Sequence, residues 1–259
     1  MSENIIKFHS YHPSNNTTDD YKPAPVKKHM PQWFLDKEKF KRNEDGTFYL
    51  TMFTDPDGKQ SVHRQPSWKA CPAMLDVFMA GYYLFTPCDI TFKKNDSLPY
   101  PEIEYDEKWG HVEPAKSFCA MRGAEVGLPT PEGYNEYTFV WRINWYFEVP
   151  KGYTLLMTHP INIPNLPFQT ISGFADASNP YMISGNYPFY IKKDWYGTIP
   201  AGTPYAQLIP MKAESWSSEI HHYSVEETTR MIEEKQRNYV VGHGITKYKE
   251  LDWIRKEYE

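Results

Sequence analysis

Residues 197–210 read Gly-Thr-Ile-Pro-Ala-Gly-Thr-Pro-Tyr-Ala-Gln-Leu-Ile-Pro. A short β-prone segment leads into Pro-Ala-Gly, which is typical of a tight turn because proline fixes one backbone dihedral and glycine accepts a positive φ. A second apolar segment follows and contains a single glutamine, Gln207. The stretch therefore predicts a strand, a turn and a second strand whose glutamine points inward.

Turn signals recur along the chain at the short spacing typical of an all-β sandwich or roll. The strongest strand signal is 137–149, where aromatic and β-branched residues dominate. Asp55-Pro-Asp-Gly58 predicts a hairpin turn between strands at 47–53 and 59–64. Further strands are expected at 82–85, 89–92, 103–105, 153–158, 169–175, 189–192 and 205–209. Three alternating aromatic side chains of 137–149 are expected in the core: Trp141, Trp145 and Phe147.

The chain is predicted to have three parts. Residues 1–46 form an N-terminal arm, which is polar and dotted with proline between 10 and 32, a composition that cannot fill a core. Residues 47–216 form the β domain, with an insertion near 94–135 that is rich in Asp, Glu, Pro and Gly. Residues 217–259 form a C-terminal helical extension.

The C-terminal extension is predicted to contain two helices. Ser224 and Glu227 form a capping box, which starts a helix over 225–237. Gly242-His-Gly244 interrupts it, because glycine disfavours the interior of a helix. A second helix is expected over 246–258.

The composition excludes several classes of protein. With 28 basic against 33 acidic residues, the 259-residue chain has a net charge of −5, whereas a general nucleic-acid binder carries a basic patch. Three cysteines at irregular spacing form no CxxC pair and no disulfide framework. There is no apolar run of about 18 residues. The N-terminus lacks the basic and apolar regions of a secretory signal. We therefore expect no membrane insertion and a cytoplasmic protein.

Four ordered segments resemble the motifs of the deoxyuridine triphosphatase and deoxycytidine triphosphate deaminase superfamily, which has the β-clip fold. Residues 80–92, beginning Ala-Gly-Tyr-Tyr-Leu, resemble the first motif, and 149–157 resemble the strand that delivers the second. Gly173-Phe-Ala-Asp-Ala177 resembles the third motif, and 199–209 resemble the fourth. The resemblance, over roughly residues 70–212, implies a mainly β fold: a β-clip-like antiparallel roll or sandwich, with an extended N-terminal arm and C-terminal helices.

The same region is similar to a group of uncharacterised proteins of tailed bacteriophages. This resemblance is carried by His159-Pro-Ile-Asn162, Leu166-Pro-Phe168 and Lys212-Ala-Glu-Ser-Trp216. It implies a phage protein that acts in the host cytoplasm or enters the virion, with other phage proteins as partners. Because β-clip enzymes often form trimers, the resemblance also implies a homo-oligomer, a trimer by analogy.

The resemblance assigns candidate roles to residues at the motif positions. Asp176 stands where the enzymes carry the aspartate that activates water, although an aspartate at the end of a strand is also common in turns. Tyr181 follows near the place of an aromatic residue that stacks on the sugar. The remaining candidate substrate-binding positions are Tyr83, His159, Asn162 and Gln207.

The groups that hold a triphosphate in these enzymes are missing here. Tyr83 replaces the first-motif aspartate, and 158–162 (Thr-His-Pro-Ile-Asn) contain no arginine to clamp a phosphate. Because phosphoryl transfer depends on positioning and charge neutralisation, we predict a noncatalytic protein without a cofactor, in which Gln207 holds the fold. The alternative is a deoxynucleotide pyrophosphatase or deaminase with an altered site, using Mg²⁺ if it is a hydrolase.

A second alternative is a non-haem iron oxygenase on a β-roll. His111-Val-Glu113 has the His-x-acid spacing of sites in which two histidines and one carboxylate bind Fe. His159 or His221 would supply the third ligand. The spacing is common by chance, and His221-His222 beside Glu219 also suits a solvated surface.

Overall fold

In a computed structural model the chain is described over residues 4–10, 21–106, 109, 118–123, 129–142, 145–179, 186–242 and 244–259. The structure is mainly β, with antiparallel sheets and C-terminal helices, as the sequence predicts. The backbone separates into two compact units. The first unit comprises Met1–Lys28 and Gly81–Glu214, and the second comprises His29–Ala80 and Ser215–Glu259. The domain bounds expected from the sequence, at 46 and 216, stay a prediction.

The first unit contains two larger antiparallel sheets and two smaller ones. One larger sheet has the order β13 (Gly173–Ala175), β11 (Tyr153–Thr158), β16 (Pro204–Lys212), β5 (Tyr82–Phe85) and β2 (Ala24–Pro25). The other has the order β12 (Phe168–Thr170), β14 (Asn186–Lys192), β9 (Tyr134–Arg142) and β8 (Cys119–Gly123). The smaller sheets are β15 (Gly197–Ile199), β6 (Ile90–Lys93) and β7 (Glu102–Tyr105), and β1 (Lys7–Ser10) with β10 (Trp145–Glu148).

Aromatic side chains join the two larger sheets in one core. Trp141 of β9 stacks on Phe189 of β14, with ring centroids 3.8 Å apart and planes at 6°. Tyr205 of β16 reaches across from the facing sheet, 5.5 Å from the Trp141 ring. Each large apolar side chain buried in this way contributes about 1.5–3 kcal/mol to folding. The expected burial of Trp141, Trp145 and Phe147 is confirmed.

The stretch 197–210 forms the expected strand, turn and strand, and it carries the chain from one sheet to another. β15 pairs with β6, whereas β16 pairs with β5 and β11. The turn between them is anchored by Thr86, whose hydroxyl donates to the Pro200 carbonyl at 2.8 Å and whose own carbonyl accepts from Gly202 N at 2.8 Å. Gly202 has the positive φ that the turn requires, +78°.

The aromatic segment 137–149 differs from its prediction, because it is two strands and not one. β9 ends at Arg142 and pairs with β8 and β14. β10 begins at Trp145 and pairs with β1 near the N-terminus. Both halves bury aromatic residues in the same core. The side-chain pattern therefore continues through the point where the backbone changes partner.

Among its described residues, the second unit combines a hairpin with four α-helices and a short 3-10 helix at Trp68–Ala70. Its strands are β3 (Leu50–Thr54) and β4 (Gln60–Arg64), and its helices are α1 (Gln32–Leu35), α2 (Pro72–Val77), α3 (Val225–Gly242) and α4 (Gly244–Leu251). The hairpin turns as predicted at Asp55, whose carboxylate accepts from the N–H groups of Asp57 at 3.0 Å and Lys59 at 2.8 Å. No helix among the described residues has the length and apolar character needed to cross a bilayer.

The capping box predicted for the first C-terminal helix is present. Ser224 N donates to Glu227 Oε2 at 2.8 Å, and Glu227 N donates to Ser224 Oγ at 3.2 Å. The bond that the carboxylate accepts from Ser224 N is the main cause that holds the Glu227 pKa below its usual range. α3 ends at Gly242, beyond the predicted end at 237, and α4 spans Gly244–Leu251, which ends before the predicted bound at 258.

Large apolar side chains of the second unit are mostly exposed. Among its described residues, the buried apolar side chains are Phe34, Ala70, Pro72 and Phe78. Met52 and Val62, which are direct cross-strand partners in the hairpin, are 62% and 59% exposed. Further exposed side chains of this unit are Trp33, Leu35, Tyr49, Leu50, Trp68, Trp216, Ile220, Tyr223, Val225, Met231, Ile232, Tyr248, Leu251 and Ile254.

Candidate functional site

Residues from the first, second and fourth motif segments meet in one row across the five-stranded sheet. Gln207 of β16 lies directly opposite Tyr83 of β5 on one side and Thr158 of β11 on the other. Residues directly opposite each other on neighbouring strands project from the same face of a sheet. The fold therefore brings Tyr83 and Gln207 together, beside the strand end that leads into His159.

The close approach of β5 and β16 depends on Gly81. Gly81 has φ +69°, and a Cβ placed on it would lie 1.9 Å from the carbonyl oxygen of Leu208 in β16. The carbonyl of Gly81 also accepts a hydrogen bond from Val26 N at 3.0 Å. The Ala-Gly-Tyr-Tyr sequence thus enters the sheet through a residue without a side chain, two positions before Tyr83.

Gln207 is fully buried, and its side chain holds the segment that follows β11. Its Oε1 accepts a hydrogen bond from the backbone N–H of Ile161 at 2.9 Å. A buried backbone N–H without a partner costs about 1–3 kcal/mol, so the glutamine stabilises the path of 158–162. In this structure the inward glutamine of the fourth motif binds the protein's own backbone.

His159 is a partly buried, neutral imidazole. Burial lowers its pKa from the ordinary 6.5 to about 4, because a charged ring loses hydration there. Its Nδ1 accepts from Thr170 N at 3.2 Å, and the Thr170 hydroxyl donates to the Tyr205 carbonyl at 2.6 Å. The ring also meets Phe168 edge-on, at a centroid distance of 5.7 Å. At neutral pH His159 offers no positive charge to a phosphate.

Tyr83 is fully buried, in a small cluster apart from the main core. Val26 and Phe85 are the other buried members, and Tyr21, Ala24 and Ile163 lie against it. The Tyr83 hydroxyl has no hydrogen-bond partner among the described residues. Burial raises its pKa to about 12. A neutral phenol in this setting cannot replace a carboxylate that supports a metal-bound triphosphate.

Asp176 and Asn162 are exposed. Asn162 adopts a left-handed backbone, φ +59°. Asp176 follows β13, in which Ala175 lies opposite Leu155 of β11. Asp176 is therefore displaced along β11 by about four residues from the Thr158 row, roughly 13 Å at the usual rise of a strand. The structure does not bring Asp176 beside Tyr83 and Gln207.

Two of the candidate iron ligands, His111 and Glu113, lie outside the described residues. Tyr181, the candidate for stacking on a sugar, lies outside them as well. No group of three metal-ligating side chains occurs among the residues that are described. His221 is exposed, with its Nε2 3.1 Å from Glu219 Oε2, in agreement with a solvated surface.

Comparison with known proteins adds little to this geometry. No protein-family model matches the sequence, and no curated protein matches it. One similar solved structure is that of a point mutant of the dUTPase from phage phi11 of S. aureus, which reveals the coordination of a structural Mg(II) ion in that protein. It is 18% identical, the match covers 40% of this chain and 95% of that chain, and the TM-score is 0.22. At that TM-score the likeness carries no argument about this chain.

Proposed function

We propose that this chain is a noncatalytic interaction protein, which uses a β-clip-like scaffold related to nucleotide enzymes and associates with copies of itself. The observation that carries the proposal is the hydrogen bond from Ile161 N to Gln207 Oε1. The position that would face a substrate is occupied by backbone of the same chain. The resemblance to proteins of tailed bacteriophages supports a role in the host cytoplasm or the virion, with other phage proteins as further proposed partners.

The chemistry around that bond also favours a noncatalytic role. Tyr83 is a buried phenol, His159 is neutral at physiological pH, and 158–162 contain no cationic residue. Phosphoryl transfer needs groups that neutralise developing charge, and these residues supply none. The carboxylate of Asp176 lies exposed at a distant point of the sheet. We accordingly propose no resident cofactor.

Self-association is supported by the surface of the second unit. A domain of this size needs a substantial buried core, yet the exposed apolar side chains here greatly outnumber the buried ones among the described residues. Met52 and Val62 form a cross-strand pair of exposed apolar side chains, and exposed apolar surface is typical of an interaction site. A second copy of this chain is always available as a partner, and it carries the same exposed apolar side chains. Association of two copies would bury these side chains on both.

A nucleotide panel tests the noncatalytic role. The protein is incubated with the deoxynucleoside triphosphates and Mg²⁺, while pyrophosphate release, base deamination and thermal unfolding are followed. We expect no turnover and no ligand-dependent shift. Turnover that Asp176→Asn abolishes, and that the matched surface variant Glu132→Gln retains, would overturn the proposal in favour of a pyrophosphatase or deaminase. Metal analysis of the purified protein tests the second alternative. One iron ion per chain in the wild type, absent from His159→Ala, would overturn the noncatalytic role in favour of an oxygenase.

A further inference from the structure

A cleft of about 450 Å³ opens between two loops and the start of a strand in the first unit. The loops are 94–101 between β6 and β7 and 193–196 between β14 and β15, and the strand residues are 134–136 of β9. Small-molecule sites typically have volumes of about 300–1,000 Å³. The cleft is therefore large enough for a small ligand, and the candidate site discussed above contributes no residue to it.

The walls of the cleft are held by their own hydrogen bonds. Asn95 Nδ2 donates to Glu102 Oε2 at 3.1 Å, and Asn95 Oδ1 accepts from Ser97 N at 3.0 Å. On the opposite wall, Lys193 N donates to the Gly133 carbonyl at 2.9 Å. A site whose loops are already fixed avoids part of the entropic cost of binding.

Among the described residues, several polar groups that line the cleft have no hydrogen-bond partner. The Tyr134 and Tyr196 hydroxyls, the Lys193 amine and the carboxylates of Glu136 and Asp194 make no hydrogen bond to any residue in the described ranges. Donors and acceptors therefore stand open together. A ligand that carries hydrogen-bond donors and acceptors on neighbouring atoms would pair with these groups.

The charges of the lining argue against a phosphate or another anion. Two lysines line the cleft, but Lys94 Nζ is already paired with Asp96 Oδ1 at 2.6 Å. The charge of Asp194 also contributes to raising the pKa of Lys94, and Glu136 is a third carboxylate of the lining. A site for a dianion would concentrate cationic donors, as Arg and Lys clusters do. With two lysines against three carboxylates, the lining has no excess of positive charge, so a ligand that brings no negative charge suits it.

Apolar surface in the cleft comes from rings and a leucine. Tyr100, Tyr134 and Tyr196 line it together with Leu98, Pro99 and Pro101. Tyrosine offers a flat apolar face and a polar tip with little side-chain entropy to lose. The C–H face of a sugar ring contacts such a surface, while its neighbouring hydroxyls act as donors and acceptors at once.

We propose that this cleft binds a neutral saccharide, in which ring faces contact the tyrosines and hydroxyls bridge Asp194 and Lys193. This site is independent of the noncatalytic role proposed above. It would give the chain a means of recognising a glycan surface or a free sugar through one chemistry. The experiment therefore measures binding of the free sugar and, separately, of a polymer that contains the same sugar.

Ligand-observed NMR with the full chain tests the site. The probes are glucose, galactose, mannose and N-acetylglucosamine, their disaccharides and immobilised polymers, with inorganic phosphate as an anionic comparison and free glycine as a zwitterionic one. We expect at least one saccharide to bind and neither phosphate nor glycine to compete. Tyr196→Ala and Asp194→Asn should each weaken binding about tenfold or more, because each removes a direct contact. Asn tolerates the left-handed backbone at 194, φ +56°.

The control is Tyr223→Ala, which removes an exposed tyrosine that does not line the cleft. It should leave saccharide binding unchanged, and all three variants should unfold at the wild-type temperature. Absence of saccharide binding across the panel would overturn the proposal. Binding that survives both cleft variants, or preferential binding of phosphate or glycine, would overturn it as well.

Discussion

The backbone N–H of Ile161 donates a 2.9 Å hydrogen bond to Oε1 of Gln207, a side chain that is fully buried. The two residues are 46 positions apart in sequence. The bond ties the segment leaving β11 to the middle of β16, which also pairs with β5. One side chain thus joins the two segments that resemble the second and fourth motifs.

Gln207→Leu keeps the approximate volume of the side chain but removes the acceptor. We expect the free energy of unfolding to fall by about 1–3 kcal/mol, because the Ile161 N–H loses its partner. Chemical denaturation measures the change. Gln169→Leu on β12, an exposed glutamine, is the matched control and should change stability by less than about 0.5 kcal/mol. Equal stability of the two variants would contradict a structural role for Gln207.

Tyr83→Phe should leave stability unchanged or raise it by about 1 kcal/mol. The hydroxyl is buried without a partner among the described residues, so its removal relieves a desolvation cost. Tyr153→Phe should instead lower stability, because the Tyr153 hydroxyl donates a hydrogen bond to Asn4 Oδ1 at 2.9 Å, which the variant loses. Thermal unfolding of both variants gives the comparison. A marked loss of stability in Tyr83→Phe would show that the hydroxyl has a partner after all.

Local turn chemistry explains why much of the fold was predictable. Pro200-Ala-Gly202 and Asp55-Pro-Asp-Gly58 contain residues whose backbone preferences specify a turn without reference to the rest of the chain. The capping box at 224–227 is equally local. Each of these elements forms where the sequence places it.

Long-range pairing explains most of what could not be predicted. The split of 137–149 arises because β10 pairs with β1, a strand more than a hundred residues away. The cleft between 94–101, 134–136 and 193–196 joins two loops and a strand end that share no sequence pattern. Resemblance to enzyme motifs placed Tyr83 and Gln207 in one candidate site, but only strand register shows Asp176 displaced from them.

His159 should make the protein less stable in mild acid. Its pKa is about 4 in the folded state and 6.5 as the ordinary value, so the unfolded chain binds the proton more readily. Stability from the neutral ring is complete above about pH 6.5 and is lost as pH falls toward 4. Because the ring is partly exposed, solvent reduces the effect of burial on its charge. We therefore expect the free energy of unfolding to fall by about 1–2 kcal/mol, which is less than the whole pKa difference would give.

His159→Asn is the matched variant, since the asparagine oxygen can accept from Thr170 N without titrating. Denaturation at several pH values should give a flatter stability curve for the variant than for the wild type between about pH 6.5 and 4. NMR titration of the imidazole measures its pKa directly. A pKa near 6.5 in the folded protein would refute the burial argument.

Gly81→Ala should be severely destabilising, by about 3 kcal/mol or more. The added Cβ would lie 1.9 Å from the Leu208 carbonyl oxygen, and the φ of +69° is itself unfavourable for alanine. Gly152→Ala separates the two causes, because Gly152 has φ +89° but no atom within 4 Å of the added Cβ. That control should cost about 1–2 kcal/mol. Soluble yield and melting temperature measure both variants. If Gly81→Ala and Gly152→Ala lose similar amounts of each, β5 can move away from β16.

Met52→Lys and Val62→Lys should weaken self-association by about tenfold or more, because each places a charge on the apolar face of the hairpin. Both side chains are largely exposed, so the monomer should keep its wild-type melting temperature in dilute solution. Sedimentation velocity over a range of concentrations measures the change. Phe174→Lys, which alters a 68% exposed phenylalanine of the first unit, is the matched control and should assemble normally. A wild-type protein that stays monomeric at all concentrations, or assembly that only Phe174→Lys disrupts, would exclude the second unit as the self-association surface.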